Sequence, residues 1–144
     1  MRCRFLILIV LFFFLSCKKD VHESSFVISI KEVSTLDIVE FEENIFVTLS
    51  YEHPDGYVGF SDPDRLSLEV KDSRLENPDY FHLIPVNPPN HSLSVQGEIL
   101  IEIDSPFLFG NADMETLRFL IRIQDTKMNW SNQVVTSDII VNRE

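Results

Sequence analysis

Cysteine is nearly absent: the 144 residues hold two, Cys3 and Cys17, and none follows position 17. The rest of the chain therefore has no disulfide and no thiolate for metal binding or nucleophilic attack. Basic residues are scarce, 12 against 23 acids for a formal charge of −11, which excludes nucleic acid as a partner because its binding depends on Lys and Arg. No apolar run reaches the roughly 20 residues that a membrane-crossing helix needs. There is no G-x-S-x-G elbow, no pair of histidines at H-x-x-x-H spacing and no EF-hand loop. Turn-forming residues also interrupt every helical pattern before it reaches ten residues.

The longest apolar stretch stands at the amino terminus. Arg2 and Arg4 precede an unbroken run of eleven apolar residues, 5–15, and Ser16-Cys17 closes it with a small residue before a cysteine. That is the three-part layout of an export signal. Phe14-Leu15-Ser16-Cys17 resembles the lipobox of bacterial lipoproteins, with Leu15 one place nearer the cysteine than is usual there. Lys18-Lys19-Asp20 completes an S-C-K-K-D opening similar to that of Bacteroidetes lipoproteins. The resemblance implies that residues 1–16 are a signal peptide and that Cys17 becomes the lipidated first residue of the mature protein. Its thiol would carry a diacylglyceryl group and its amine a further acyl chain. At about 0.8 kcal/mol per buried methylene, two chains already anchor stably. The implied address is the cell envelope, at the outer membrane, because Lys18 replaces the aspartate that retains some lipoproteins at the inner membrane. Periplasmic and surface-facing orientations both stay open.

Removing residues 1–16 takes away Arg2 and Arg4 and no acid, which leaves 10 basic against 23 acidic side chains, a formal charge of −13. Anionic lipid repels such a surface, so the lipid anchor, not a basic patch, holds the protein down. Residues 17–25 form a polar tether. Fully extended at about 3.6 Å per residue, its residues 18–25 reach no more than roughly 29 Å. Residues 26–144 are enough for one domain that stands on its core alone.

Period two dominates that domain. Residues 116–124 place Leu117, Phe119, Ile121 and Ile123 on one face and Arg118, Arg122 and Gln124 on the other, as a half-buried strand does. Similar alternation runs through 26–30, 45–51 (Ile45, Val47, Leu49 and Tyr51 inward), 66–71 and 98–103. Two weaker strands are 80–86, which Pro85 demotes to an edge, and 134–141, broken by Ser137-Asp138. Residues 114–117 have room for a single helical turn. Seven short strands separated by Pro, Asp, Asn and Gly turns predict an all-β fold, a seven-stranded immunoglobulin-like β-sandwich, with a small barrel as the alternative.

Asp125-Thr126-Lys127-Met128-Asn129-Trp130-Ser131-Asn132, followed by Val134 and Thr136, resembles the D-x-x-G-N-x-S-N-x-V-x-T ending of bacterial immunoglobulin-like modules, with Met128 in place of the glycine. Residues 51–60 are similar to the Y-x-D-x-D-G-D-x-G-F loop of uncharacterised Bacteroidetes lipoproteins, with His53 and Tyr57 at two acidic positions. These resemblances imply fold and address and carry no activity.

Glu52, Asp55, Asp62 and Asp64 crowd one loop and form a candidate calcium site, which Asp125 and Asn129 would join if their loop shares that end of the sandwich. The plainer reading makes these residues turn formers. Catalysis would need two or more of His53, His82, Asp55, Asp62 and Ser131 to converge in a pocket; without a motif, a non-catalytic protein is expected, with no cofactor beyond that calcium. Tyr57 and Trp130 sit in loops, and Phe107, Leu108 and Phe109 cluster in the 104–115 connection. Such aromatics serve a protein interface or a sugar-stacking platform, or else plug the open end of the sandwich. The leading expectation is an envelope lipoprotein acting as a protein-interaction or structural module with an envelope protein partner. The alternative is a glycan- or ligand-binding module stacking on Tyr57 and Trp130.

Overall fold

The computed structural model describes residues 26–56, 58–85 and 95–144. Residues 1–25, where the signal peptide, lipidated Cys17 and tether are expected, and Tyr57 lie outside the described residues.

The fold is all-β. Among the described residues ten strands follow in order: β1 (Val27–Val33), β2 (Asp37–Val39), β3 (Ile45–His53), β4 (Leu66–Asp72), β5 (Asp79–His82), β6 (Val95–Ile103), β7 (Met114–Leu117), β8 (Phe119–Ile123), β9 (Val134–Val135) and β10 (Ile139–Asn142). One sheet runs β1-β3-β6, a second β2-β10-β7 and a third β5-β4-β8-β9. All pairings are antiparallel except β2 with β10, which is parallel. Among the described residues the sheets do not close into a barrel.

The second and third sheets meet where two strands are interrupted. Arg118 alone separates β7 from β8, and Thr136 begins the gap between β9 and β10. There the Phe119 N–H donates to the Thr136 hydroxyl and the Thr136 N–H to the Phe119 carbonyl, both at 3.0 Å, so hydrogen bonding continues across the break. Arg118 leaves the ladder because its main chain serves the turn after β4: its N–H donates to Ser73 Oγ and its carbonyl accepts from the Ser73 N–H, both at 2.9 Å.

The inward faces follow the alternation. Ile45, Val47, Leu49 and Tyr51 of β3 pack with Ile99 and Ile101 of β6 on one side of the core. Leu68, Val70, Leu117, Phe119, Ile121, Ile123, Ile139 and Val141 belong to the same buried cluster from the other sheets. Asn132 fastens the layers: its side-chain oxygen accepts the Ile28 N–H at 2.8 Å and its amide donates to the Ile28 carbonyl at 2.9 Å, as a neighbouring strand's main chain would. Ser131 Oγ accepts the Ile123 N–H.

The strand count differs from seven for two reasons. The 116–124 and 134–141 segments are each divided in two, and β2, only three residues long, carries no alternation to read. Residues 114–117 form β7 and no helical turn, because their main chain pairs with β10 over four residues. The 80–86 segment shortens to β5 and ends well before Pro85.

Candidate functional site

The loop after β3 and the 125–130 loop do share one end of the fold, and what joins them is a buried pair. His53 Nε2 lies 3.3 Å from Asp125 Oδ2, with the two side chains only 3% and 4% exposed. His53 Nδ1 accepts the N–H groups of Asp55 and Gly56 at 3.0 and 2.9 Å, which assigns the ring proton to Nε2 and makes the imidazole the donor to Asp125. Asp125 Oδ1 accepts the N–H groups of Lys127 and Asn129 at 2.8 Å each, and Oδ2 also accepts Asn129 Nδ2 at 3.0 Å. Burial pushes this carboxyl up, but the bonds from Asn129, His53 and Lys127 outweigh it and hold it below the ordinary carboxylate value.

The proposed calcium ligands are not gathered there. Glu52 points outward from β3, Asp55 forms an ion pair with Lys127, and Asp62 accepts the Asp64 N–H in a turn. Among the described residues no three His, Cys, Asp or Glu side chains are grouped to hold a cation. The groups with catalytic potential are similarly committed to main-chain bonds: Ser131 Oγ donates to the Asn132 carbonyl, and His82 Nε2 lies 2.6 Å from the Phe60 carbonyl.

Trp130 lies on the outer face of the β5-β4-β8-β9 sheet. The Arg122 guanidinium sits 4.6 Å above its ring, the Tyr80 ring is 6.5 Å away, and Arg122 is held by Glu69 directly across the strands. It therefore does not plug the end of the core, and Arg122 occupies one of its faces. Tyr57, its expected companion, lies outside the described residues.

Among the described residues a cleft of about 800 Å³ lies between the edges of β5 and β6. Buried Leu68, Val70, Ile99, Ile101 and Phe119 contribute its apolar lining, and exposed Phe81, Ile84 and Leu100 border it. Asp79, Glu98, Glu102 and Asp104 give it acidic margins. Of His53, His82, Asp55, Asp62 and Ser131, His82 alone borders it.

An aromatic ridge closes one end of the cleft. Phe41, 67% exposed, stacks on Phe107 with ring centres 5.6 Å apart and planes 9° apart. Phe107 meets Phe109 edge-on at 5.2 Å, and the Arg74 guanidinium lies 4.2 Å over the Phe109 ring. Arg74 is clamped by Asp72 and Glu115, each at 2.7 Å, and donates to the Phe107 carbonyl at 2.9 Å. Glu115 accepts the N–H groups of Phe109 and Gly110, while Glu40 accepts the N–H of buried Leu108 at 3.1 Å. Both ends of the ridge are thus fixed by buried or half-buried charges.

Phe41 adopts φ +67°, a left-handed conformation that costs a residue with a Cβ about 1–2 kcal/mol. Strain of this kind persists only where its surroundings enforce it, and here it projects a large apolar ring into solvent. The sequence flagged Phe107 and Phe109 by their clustering. Phe41 is missed because nothing in the local sequence announces a left-handed phenylalanine.

No family model, no curated protein and no solved structure matches this chain.

Proposed function

We propose that this chain is a non-catalytic lipoprotein of the cell envelope, anchored through Cys17, whose immunoglobulin-like domain binds another envelope protein at the phenylalanine ridge. The observation that carries this reading is the ridge itself. Three exposed phenylalanines pack ring against ring beside an apolar cleft that Phe107 and Phe109 line, and Phe41 is in a strained conformation that serves no core. Aromatic side chains fixed in advance lose little freedom on binding and are the usual anchors of protein interfaces. Support for the immunoglobulin-like topology comes from the strand order: β1, β3 and β6 occupy the places of the A, B and E strands, and β4, β8 and β9 those of C, F and G. The glycan alternative draws less support, since Arg122 covers one face of the Trp130 ring.

The test has two arms in living cells. A photoreactive phenylalanine at position 107 is expected to give a discrete adduct with an envelope protein, reduced at least tenfold by Phe41→Asp. An adduct yield equal to that from position 46, on the outer face of β3, would remove the reading. Labelled palmitate is expected to be incorporated by the wild type and lost in Cys17→Ser; retained labelling would overturn the address.

A further inference from the structure

β6 is an open edge. One side is joined to β3 over nine consecutive residue pairs, from Ile45↔Ile103 to His53↔Val95, without a bulge. Its other side has no main-chain partner among the described residues. Natural edge strands are blunted by bulges, prolines, shortness, inward-pointing charge, charged side chains along the edge or a covering loop. Val95–Ile103 is nine residues long, contains no proline and turns Ile99 and Ile101 inward; among the described residues its one such device is the outward charge of Glu98 and Glu102. Its outward residues are Gln96, Glu98, Leu100 and Glu102, and Leu100 is 66% exposed. The open side borders the apolar cleft, where Ile99 and Ile101 form part of the lining.

We propose that the free edge of β6 accepts an extended segment of a partner protein as an added strand, one carrying a basic residue, three apolar residues and a second basic residue in succession. Alternate side chains of an added strand fall on opposite faces of the sheet. With the middle apolar residue beside Leu100, its two apolar neighbours enter the cleft next to Ile99 and Ile101. The two basic residues then lie beside Glu98 and Glu102, where cross-strand opposite charges stabilise. The fold already uses this pairing internally, with Arg122 of β8 directly across from Glu69 of β4. Glu98 and Glu102 already accept from Lys31 and Asn44, and a carboxylate has acceptor sites to spare for a second partner.

In the register centred on Leu100, a second copy of the chain is a poor fit for the same edge. Antiparallel self-pairing centred on Leu100 sets Glu98 against Glu102 twice, and like charges directly opposite one another destabilise. The carboxylates thus suit a basic partner and oppose self-association, even though the edge is long and apolar.

This inference rests on the protein-interaction reading, and its test separates the two. The full chain, purified in detergent from membranes, is titrated into a fluorescent, end-capped nine-residue peptide of order Thr-Thr-Lys-Val-Val-Val-Lys-Thr-Thr. Saturable binding is expected, weakened at least tenfold by the double variant Glu98→Lys/Glu102→Lys and by a peptide with glutamates in place of its lysines. Two further peptides, N-methylated at the odd or at the even residues, isolate main-chain pairing because only alternate N–H groups face β6. One is expected to lose binding and the other to keep it. Hydrogen exchange of β6 amides is expected to slow on adding the parent peptide.

No binding to the wild type, equal behaviour of the two methylated peptides, or β6 amides already fully protected without peptide would each overturn the proposal. The peptide-side changes need no altered protein, so a misfolded variant cannot imitate the result. Should the peptide fail while position 107 still gives its adduct, strand addition falls and the interaction reading stands; a missing adduct counts against the reading itself.

Discussion

Asp125→Ala is expected to lower the unfolding free energy by about 4 kcal/mol, because it leaves several buried donors unsatisfied at about 1–3 kcal/mol each, and the melting temperature by about 10 °C or more. The variant strips the acceptor from four donors at once: the His53 ring, the Asn129 side chain and the main-chain N–H groups of Lys127 and Asn129. With both side chains of the pair almost completely buried, water cannot replace the lost bonds. Against a total stability of roughly 5–15 kcal/mol this is a large fraction. Asp125→Asn keeps the shape and one acceptor oxygen but turns an NH2 toward existing donors, and is expected to cost about half as much. Urea titrations of the three proteins check the order; a loss below about 1 kcal/mol for Asp125→Ala would show that the loop pair is not a fastening of the fold.

The same residue sets part of the acid response. Its folded pKa lies below the unfolded value, near 4. Its contribution is therefore fully present above the unfolded value and is lost as pH falls through the folded one. Melting temperatures from pH 7 down to pH 2 should show the gap between wild type and Asp125→Ala constant down to about pH 4 and narrowing below it. A gap that widens with acid would reverse the assignment.

Much of the architecture was legible because period two is a strong signal where one face is buried. Leu117, Phe119, Ile121 and Ile123, placed on one face by alternation alone, are all buried. The resemblance to the D-x-x-G-N-x-S-N-x-V-x-T ending also acquires physical content. Asp125 organises its loop, Ser131, Asn132 and Thr136 bond to main chain across strands, and Met128 holds φ +69° where the pattern has glycine. These motif residues are joints of the fold, which is why they point to architecture and not to an activity. The acidic loop shows a related limit: Asp and Asn are favoured in turns, and among the described residues their clustering in sequence does not bring three acidic or imidazole side chains together.

The candidate site was half legible. Phe107 and Phe109 stand out as apolar residues in a polar connection, but their partner Phe41 is remote in sequence and depends on a backbone angle. The outer place of β6 among the described strands was hidden more completely, because an edge is a property of sheet order, and order is set by pairings between distant segments. Alternation in 98–103 identifies a strand and its inward face, yet it is silent on whether the strand has one neighbour or two.

Gly59→Ala is expected to cost about 3 kcal/mol, combining backbone strain with displacement of packed main chain. Gly59 adopts φ +80°, and a Cβ there would stand 2.6 Å from the Ile84 carbonyl oxygen and 2.7 Å from that of Leu83. Neither oxygen belongs to a flexible side chain. The Leu83 carbonyl accepts the Phe60 N–H at 3.0 Å, and the Phe60 carbonyl in turn faces His82 Nε2, so the loop after β3 is laced to the end of β5 at this point. Making room for a methyl group means parting those segments and lifting buried Leu83, which borders the cleft. Gly110→Ala is the control: its Cβ would meet only the Glu115 carboxylate at 3.5 Å, and a change within about 0.5 kcal/mol is expected. Equal melting temperatures for Gly59→Ala and Gly110→Ala would mean that the loop after β3 shifts freely. A selective loss at Gly59, accompanied by weaker peptide binding at β6, would tie the geometry of the cleft to a contact that begins in the neighbouring loop.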